Sequence, residues 1–138
     1  MSSLPIIPNG FIQTIRTVLP KTGIIEDISR RRAHATDASF YQLIPQLVLQ
    51  ISSIEQMQEV LKASHTHHVS VTFRAAGTSL SGQAVSNSVL LLLDSNWRGH
   101  EIINNGEQIR LQPGVIGAQA NQYLAPYHRK IGPDPASI

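Results

Sequence analysis

Hydrophobic positions along the chain fall into two periods, one helical and one alternating or continuous. Phe11, Ile12, Ile15, Val18 and Leu19 recur at helical spacing, which predicts a helix over 10–19, capped by Asn9 and ended by Pro20 and Gly23. Residues 23–41 are polar and irregular, with a short helical turn expected over 26–32. An apolar run predicts a strand over 47–51. Ser52 or Ser53, with Glu55 or Gln56 three positions on, fits a capping box for a helix over 54–67. Ile54, Met57, Val60, Leu61 and Ser64 form its expected packing stripe, and 69–73 reads as the next strand. Strand, helix, strand is a βαβ unit, so those strands should run parallel with a right-handed crossover.

The pattern then changes. Residues 74–87 form a loop with little that could enter a core. The continuous run of 89–94 suits a strand buried on both faces. Segments 97–103 and 108–112 flank Asn104-Asn105-Gly106-Glu107, a hairpin signal. Pro113, Gly114 and Val115 break the pattern before a helix over 116–127, with Ala118, Ala120, Leu124 and Ala125 available for packing. The fold class is α/β (α+β): a small parallel βαβ sheet with flanking helices and the start of a second sheet.

Composition narrows the function classes. The chain has 138 residues, 41% of them hydrophobic and 14% charged, with a net charge of +2, so it can bury a core. It has no cysteine, which excludes disulfides, cysteine-ligated zinc and iron–sulfur clusters within these residues. The small positive excess forms no basic face with interleaved aromatics, so no nucleic-acid partner is expected. Arg30, Arg31 and Arg32 are the only charge block and read as a solvated helix face offset by Glu26 and Asp27. The longest apolar run, Val89 to Leu93, is far below the roughly 20 residues that span a bilayer, and no integral membrane segment is expected. Residues 1–10 lack a basic start, and the expected location is cytoplasmic, with a peripheral position at the inner membrane left open.

The chemistry concentrates in Arg74-Ala75-Ala76-Gly77-Thr78-Ser79-Leu80-Ser81-Gly82-Gln83. Small residues leave backbone N–H groups uncovered, and two glycines permit positive φ, so the loop can form a concave anion site. Gly77 and Gly82 have P-loop spacing, but Gln83-Ala84 stands where lysine and a hydroxyl residue belong. A nucleophile elbow fails because Ser81 occupies its last glycine position. A Gly-x-Gly-x-x-Gly fingerprint is absent. A phosphate cradle without its own catalytic group and an ordinary flexible loop both fit the spacing. His65, His67 and His68 sit at a helix end with no carboxylate to complete a metal site, so no metal is expected. Trp97 reads as a packed or interface aromatic, and Asp37 as a residue that caps or bonds neighbouring backbone.

This loop resembles the pyrophosphate loop of FAD-linked oxidoreductases of the vanillyl-alcohol oxidase and p-cresol methylhydroxylase type. Three further stretches agree in order: Thr36-Asp37-Ala38-Ser39-Phe40-Tyr41, Gln112-Pro113-Gly114-Val115 and Pro133-Asp134-Pro135-Ala136-Ser137. Within that family the strings are similar to large bacterial enzymes that join a flavin domain to an iron–sulfur domain and oxidise D-2-hydroxy acids. D-2-hydroxyglutarate and D-lactate are representative substrates of that group.

The resemblance implies a cofactor, FAD, and a set of contacts. The backbone of Ala75, Ala76, Gly77, Thr78 and Ser79 should wrap the pyrophosphate, with Gly82 and Gln83 towards the ribose or the ring. Pro113 and Gly114 should line the cofactor channel, and Pro133, Asp134 and Ser137 should approach the flavin or ribityl chain. Thr78 stands where some relatives carry a flavin-linking histidine, so the FAD should be non-covalent. Ala75 replaces a more common glycine, which puts the first φ of the loop in question. No catalytic residue is expected here. Residues 1–35 read as a helical lead and 36–138 as the N-terminal part of an FAD domain, incomplete at its C-terminus. The expectation is a piece that is inactive alone, retains FAD weakly or not at all, and self-associates. The parent would need a small D-2-hydroxy acid and an electron acceptor, with an iron–sulfur cluster in a downstream domain. A stand-alone diphosphate-binding module or an interaction domain are the alternatives.

Overall fold

A computed structural model describes residues 6–93 and 95–133, which belong to two compact units, 1–94 and 95–138. The first unit contains α1 (Asn9–Val18), β1 (Ile24–Ile25), α2 (Ile28–Arg32), β2 (Leu47–Ile51), α3 (Ile54–His67), β3 (Val71–Arg74) and β4 (Val89–Leu93). Its sheet has the order β1-β2-β4-β3. Both β2 and β3 run parallel to β4, while β1 runs antiparallel to β2.

Helix α3 therefore joins two parallel strands, but β4 lies between them. Burial explains the order. Val89, Leu90 and Leu91 of β4 are inaccessible to solvent, as are Val48 and Leu49 of β2, so these strands need cover on both faces. Strand β3 presents Thr72 half-buried and Phe73 exposed, which an edge tolerates. Ile25, Val48 and Leu90 form one buried cluster, with Leu92 packed against it. The pair β1 was not expected from the pattern, because two residues carry no period.

Several local expectations are corrected. Pro8, not Asn9, holds the cap position of α1, and Phe11 and Ile12 donate to its carbonyl at 3.1 and 3.3 Å. Asn9 instead opens the helix. Strand β3 begins at Val71, two residues later than expected, because Val69 closes α3. His68 adopts the left-handed conformation at φ 52°, and the Val69 N–H donates to the Ser64 carbonyl at 3.0 Å. The stripe of α3 is rotated: Val60 and Ala63 are buried and His67 half-buried, whereas Ile54 and Leu61 are exposed. His67 takes that place because α1 approaches closely at Gly10. An ideal Cβ there would lie 2.8 Å from the imidazole, and Phe11 meets the ring edge-on at 6.4 Å.

The start of α3 follows the sequence closely. The Ser53 hydroxyl accepts from the Gln56 N–H at 3.3 Å, and the Gln56 side chain accepts from the Ser52 N–H at 2.9 Å. The arginine block is less bland than expected. Arg30 and Arg32 are exposed, but Arg31 donates to the carbonyls of Glu26 and Pro45 at 2.9 and 2.7 Å. Glu26 pairs with Arg16 at 3.0 Å, and Asp27 caps α2 through the Arg30 N–H at 2.9 Å.

The second unit holds β5 (His100–Ile103), β6 (Gln108–Leu111) and α4 (Gly117–Leu124). The two strands pair antiparallel and close at Ile103 and Gln108. Asn104, Asn105 and Gly106 all have positive φ, at 50°, 53° and 87°, which the Asn-Asn-Gly run accommodates. Trp97 is buried, as expected. The last helix ends at Leu124, short of 127, and passes into a single tighter turn over Ala125–Tyr127 that contains Pro126. Ala120 and Leu124 are buried, and Ala125 is exposed.

Candidate functional site

The glycine-containing loop leaves the C-terminal end of β3, the end at which parallel strands of open α/β sheets present ligand sites. Ala75, Ala76, Thr78 and Gln83 are exposed, and Gly77, Ser79 and Gly82 are half-buried. The N–H groups of Ala75, Ala76, Gly77, Thr78 and Ser79 donate to no acceptor among the described residues. Unpartnered consecutive amides in an exposed loop are a binding resource for an anion. Gly77 and Gly82 both lie at φ +70°, the conformation that glycine adopts without strain. Ala75 does not have positive φ, so the substitution for glycine there costs the loop nothing in backbone geometry.

The loop is braced from its own side of the fold. The Ser79 hydroxyl accepts from the N–H groups of Ser81 and Gln83 at 3.2 and 3.1 Å, closing the turn after the exposed amides. A preceding segment, 34–41, lies against the loop. Arg74 Nη1 donates to the carbonyls of Thr36 and His34 at 2.7 and 3.3 Å. The Ala38 N–H donates to the Gly77 carbonyl at 3.0 Å. Asp37 accepts from the Ser39 N–H and hydroxyl at 2.9 and 2.5 Å through one oxygen. Its other oxygen accepts from the Ala84 N–H at 3.2 Å. Tyr41 covers Gly82 so closely that an ideal Cβ would lie 2.6 Å from the ring.

Electrostatics follow these contacts. The Ser39 hydroxyl, opposed by some desolvation and helped by the Ser39 and Ala84 amides, holds the Asp37 carboxyl below the usual carboxylate range. Burial, then the charges of Arg74 and Arg30, hold the His34 imidazole below its ordinary range and so keep it neutral at pH 7. The cradle thus has a cation, Arg74, behind it. The neighbouring carboxylate, Asp37, is already engaged by three donors.

The expectation that 74–87 contributes little to the core is corrected. Ala84, Val85 and Ser86 are buried, as is Ser88, so the second half of the loop is anchored while 75–83 stays at the surface. Asp37 reaches further than its neighbours, tying residues far apart in sequence. Arg74, Ala38 and Tyr41 were not among the expected contacts. The Asp37-x-Ser39 spacing signalled a local turn, but nothing local signalled the bonds to the loop.

The remaining expected contacts belong to the second unit. Pro113 is exposed and Gly114 half-buried. The Gly114 N–H donates to the Trp97 carbonyl at 2.7 Å, and a Cβ at Gly114 would collide with that oxygen. Gly114 therefore has a packing reason to be glycine. Pro133 is exposed, and Asp134 and Ser137 lie outside the described residues. Among the described residues no group of three or more His, Asp or Glu is placed to hold a metal ion. No helix among them is long and apolar enough to cross a membrane.

The fold and the loop define a class: an α/β domain with an exposed anion cradle at the C-terminal end of a parallel strand. Alkyldihydroxyacetonephosphate synthase has a similar fold, with a TM-score of 0.73 at 16% identity over 98% of this chain and 28% of that one. A substrate-bound p-cresol methylhydroxylase structure gives 0.64 at 18% identity over 87% of this chain and 25% of that one. The FAD binding domain family matches residues 45–138, and the chain belongs to that family.

Two curated relatives are similar in sequence. The D-2-hydroxyglutarate dehydrogenase of Haemophilus influenzae is 29% identical over 115 residues, covering 80% of this chain and 11% of that protein. The glycolate oxidase subunit GlcD of Escherichia coli K12 is 36% identical over 101 residues, covering 72% of this chain and 20% of that protein. The chain thus spans a fifth or less of these relatives.

Proposed function

We propose that this chain supplies the diphosphate-binding part of an FAD site in an oxidoreductase that acts on the CH–OH group of a small D-2-hydroxy acid. The row of unpartnered amides from Ala75 to Ser79, braced by 34–41, carries the reading. The residues fit the group: amide donors for two phosphates, small side chains for close approach, and the Arg74 cation beside them. When bound, FAD supplies a two-electron acceptor.

The chain's own residues bind and orient. Ala75, Ala76, Gly77, Thr78 and Ser79 would receive the diphosphate through their N–H groups. Gly82 and Gln83 would lie towards the ribose or ring, with Pro113, Gly114, Pro133, Asp134 and Ser137 as further contacts. The binding is non-covalent at the loop, because Thr78 offers no ring nitrogen. No side chain in the cradle can act as a general base, so substrate oxidation depends on residues outside the cradle. Electrons would leave to a further acceptor, such as an iron–sulfur centre held elsewhere, since this chain has no cysteine.

A thermal-shift series with FAD, FMN, ADP and NAD tests the ligand class. FAD and ADP should raise the midpoint more than FMN, which lacks the diphosphate. Equal responses to all four, or none, would overturn the reading. D-2-hydroxyglutarate, D-lactate and glycolate offered with a dye acceptor should give no turnover above the free-FAD background.

A further inference from the structure

We infer that residues 34–41 form a strap that sets the shape of the anion cradle, with Arg74 and Asp37 as positioning residues at its two fastenings. This rests on the diphosphate reading above and goes beyond it, because neither side chain belongs to the cradle itself.

The fastenings flank the cradle in sequence. Arg74 stands immediately before Ala75 and grips the strap through the Thr36 and His34 carbonyls, at 2.7 and 3.3 Å. Ala84 follows Gln83 and is gripped from the strap side by Asp37, at 3.2 Å. Between them, the Ala38 N–H holds the Gly77 carbonyl at 3.0 Å. That bond turns the Gly77 carbonyl towards the strap, so the carbonyl does not face an anion lying on the amides. Every hydrogen bond between strap and loop thus uses a carbonyl of the loop, a flanking amide or a flanking side chain. None uses the N–H groups of 75–79.

Arg74 has a second role in this arrangement. Its guanidinium lies close against Gly77, where an ideal Cβ would come within 2.6 Å of Nε and 2.7 Å of Nη2. Only Nη1 donates to protein acceptors among the described residues, which leaves the Nε and Nη2 edge and its charge beside the cradle. The planar guanidinium grips two carbonyls through Nη1 and presents two further nitrogens on a separate edge; a lysine must place both its donors and its charge on one nitrogen. Asp37 does not compete for the amides of 75–79, because its oxygens accept from the Ser39 N–H, the Ser39 hydroxyl and the Ala84 N–H.

The test is binding of FAD and of inorganic pyrophosphate to the full chain and to R74K, R74Q, D37N and the R74Q/D37N double variant, with unfolding midpoints measured alongside. R74Q should weaken both ligands about tenfold or more. R74K should recover part of that loss, because charge returns without the fork. D37N keeps one acceptor and should lose about threefold. If both residues act through one strap, the double variant should lose less than the product of the two single effects. Millimolar guanidinium should restore part of the R74Q affinity, which a merely destabilised fold would not show. Binding by R74Q within twofold of the parent overturns the inference while the diphosphate reading stands. So does a double variant whose losses simply multiply. Should an R74 variant fail to fold, D37N alone decides, and unchanged pyrophosphate affinity there counts against the strap. A parent chain that binds neither FAD nor pyrophosphate overturns both the reading and the inference.

Discussion

Gly77 combines two demands that an alanine cannot meet. Its φ of +70° excludes a comfortable Cβ, and the Arg74 guanidinium occupies the space that the Cβ would take. G77A should therefore cost about 1–3 kcal/mol, the range for a strained left-handed residue. Denaturant midpoints of parent and variant check this. Asp37 gives a pH signature. Its folded pKa is depressed, so its contribution is present above the ordinary carboxylate range and is lost as pH falls through the depressed value. Between pH 6 and 2 the parent should lose more stability than D37N, with the divergence opening below about pH 4. Superimposable curves would contradict the assignment. Little of this was readable in sequence. The loop's small residues advertised open amides, but the Arg74 and Asp37 bonds join residues 38 and 47 positions apart, beyond any local pattern.

At the scale of elements, legibility tracked the strength of the period. Strand β2 and helix α3 fall on the expected residues, because an apolar run and a capping pair mark them sharply. The two-residue β1 has no period to read. The position of β4 between β2 and β3 was also hidden, since periodicity reports which faces are buried and says nothing of which strand sits beside which. The α3 cap offers a measurable consequence. Ser53 accepts from the Gln56 N–H, so S53A should destabilise the first unit by about 0.5–2 kcal/mol. Denaturant unfolding measures it, and a change below that range would show that the Gln56 side chain suffices. Side-chain capping does not explain α4, whose cap residue Ile116 has no side-chain acceptor; the Gln119 side chain accepts from the Ile116 N–H at 3.3 Å.

For the molecule as a whole, the edge of the sheet matters most. Strand β3 pairs with β4 alone among the described residues, and its Phe73 is 48% exposed. Phe40 and Leu80, in the strap and the loop, are 88% and 77% exposed. Open edges and exposed apolar groups invite association. Light scattering should show concentration-dependent self-association of the chain, reduced in F73K. A clean monomer at high concentration would refute this.

The order β1-β2-β4-β3 also governs the sequence of events in folding. Strands β2 and β3 are made first, yet each finds its parallel partner only in β4, which comes last of the three. Helix α3 can form early from its own local contacts, but the sheet cannot close around it until residue 93 has been synthesised. The amides of 75–83 lie within the connection that must be drawn across for β4 to enter the gap. A nascent chain ending before β4 would hold every residue of the cradle and still leave β3, the strand that carries it, without a partner.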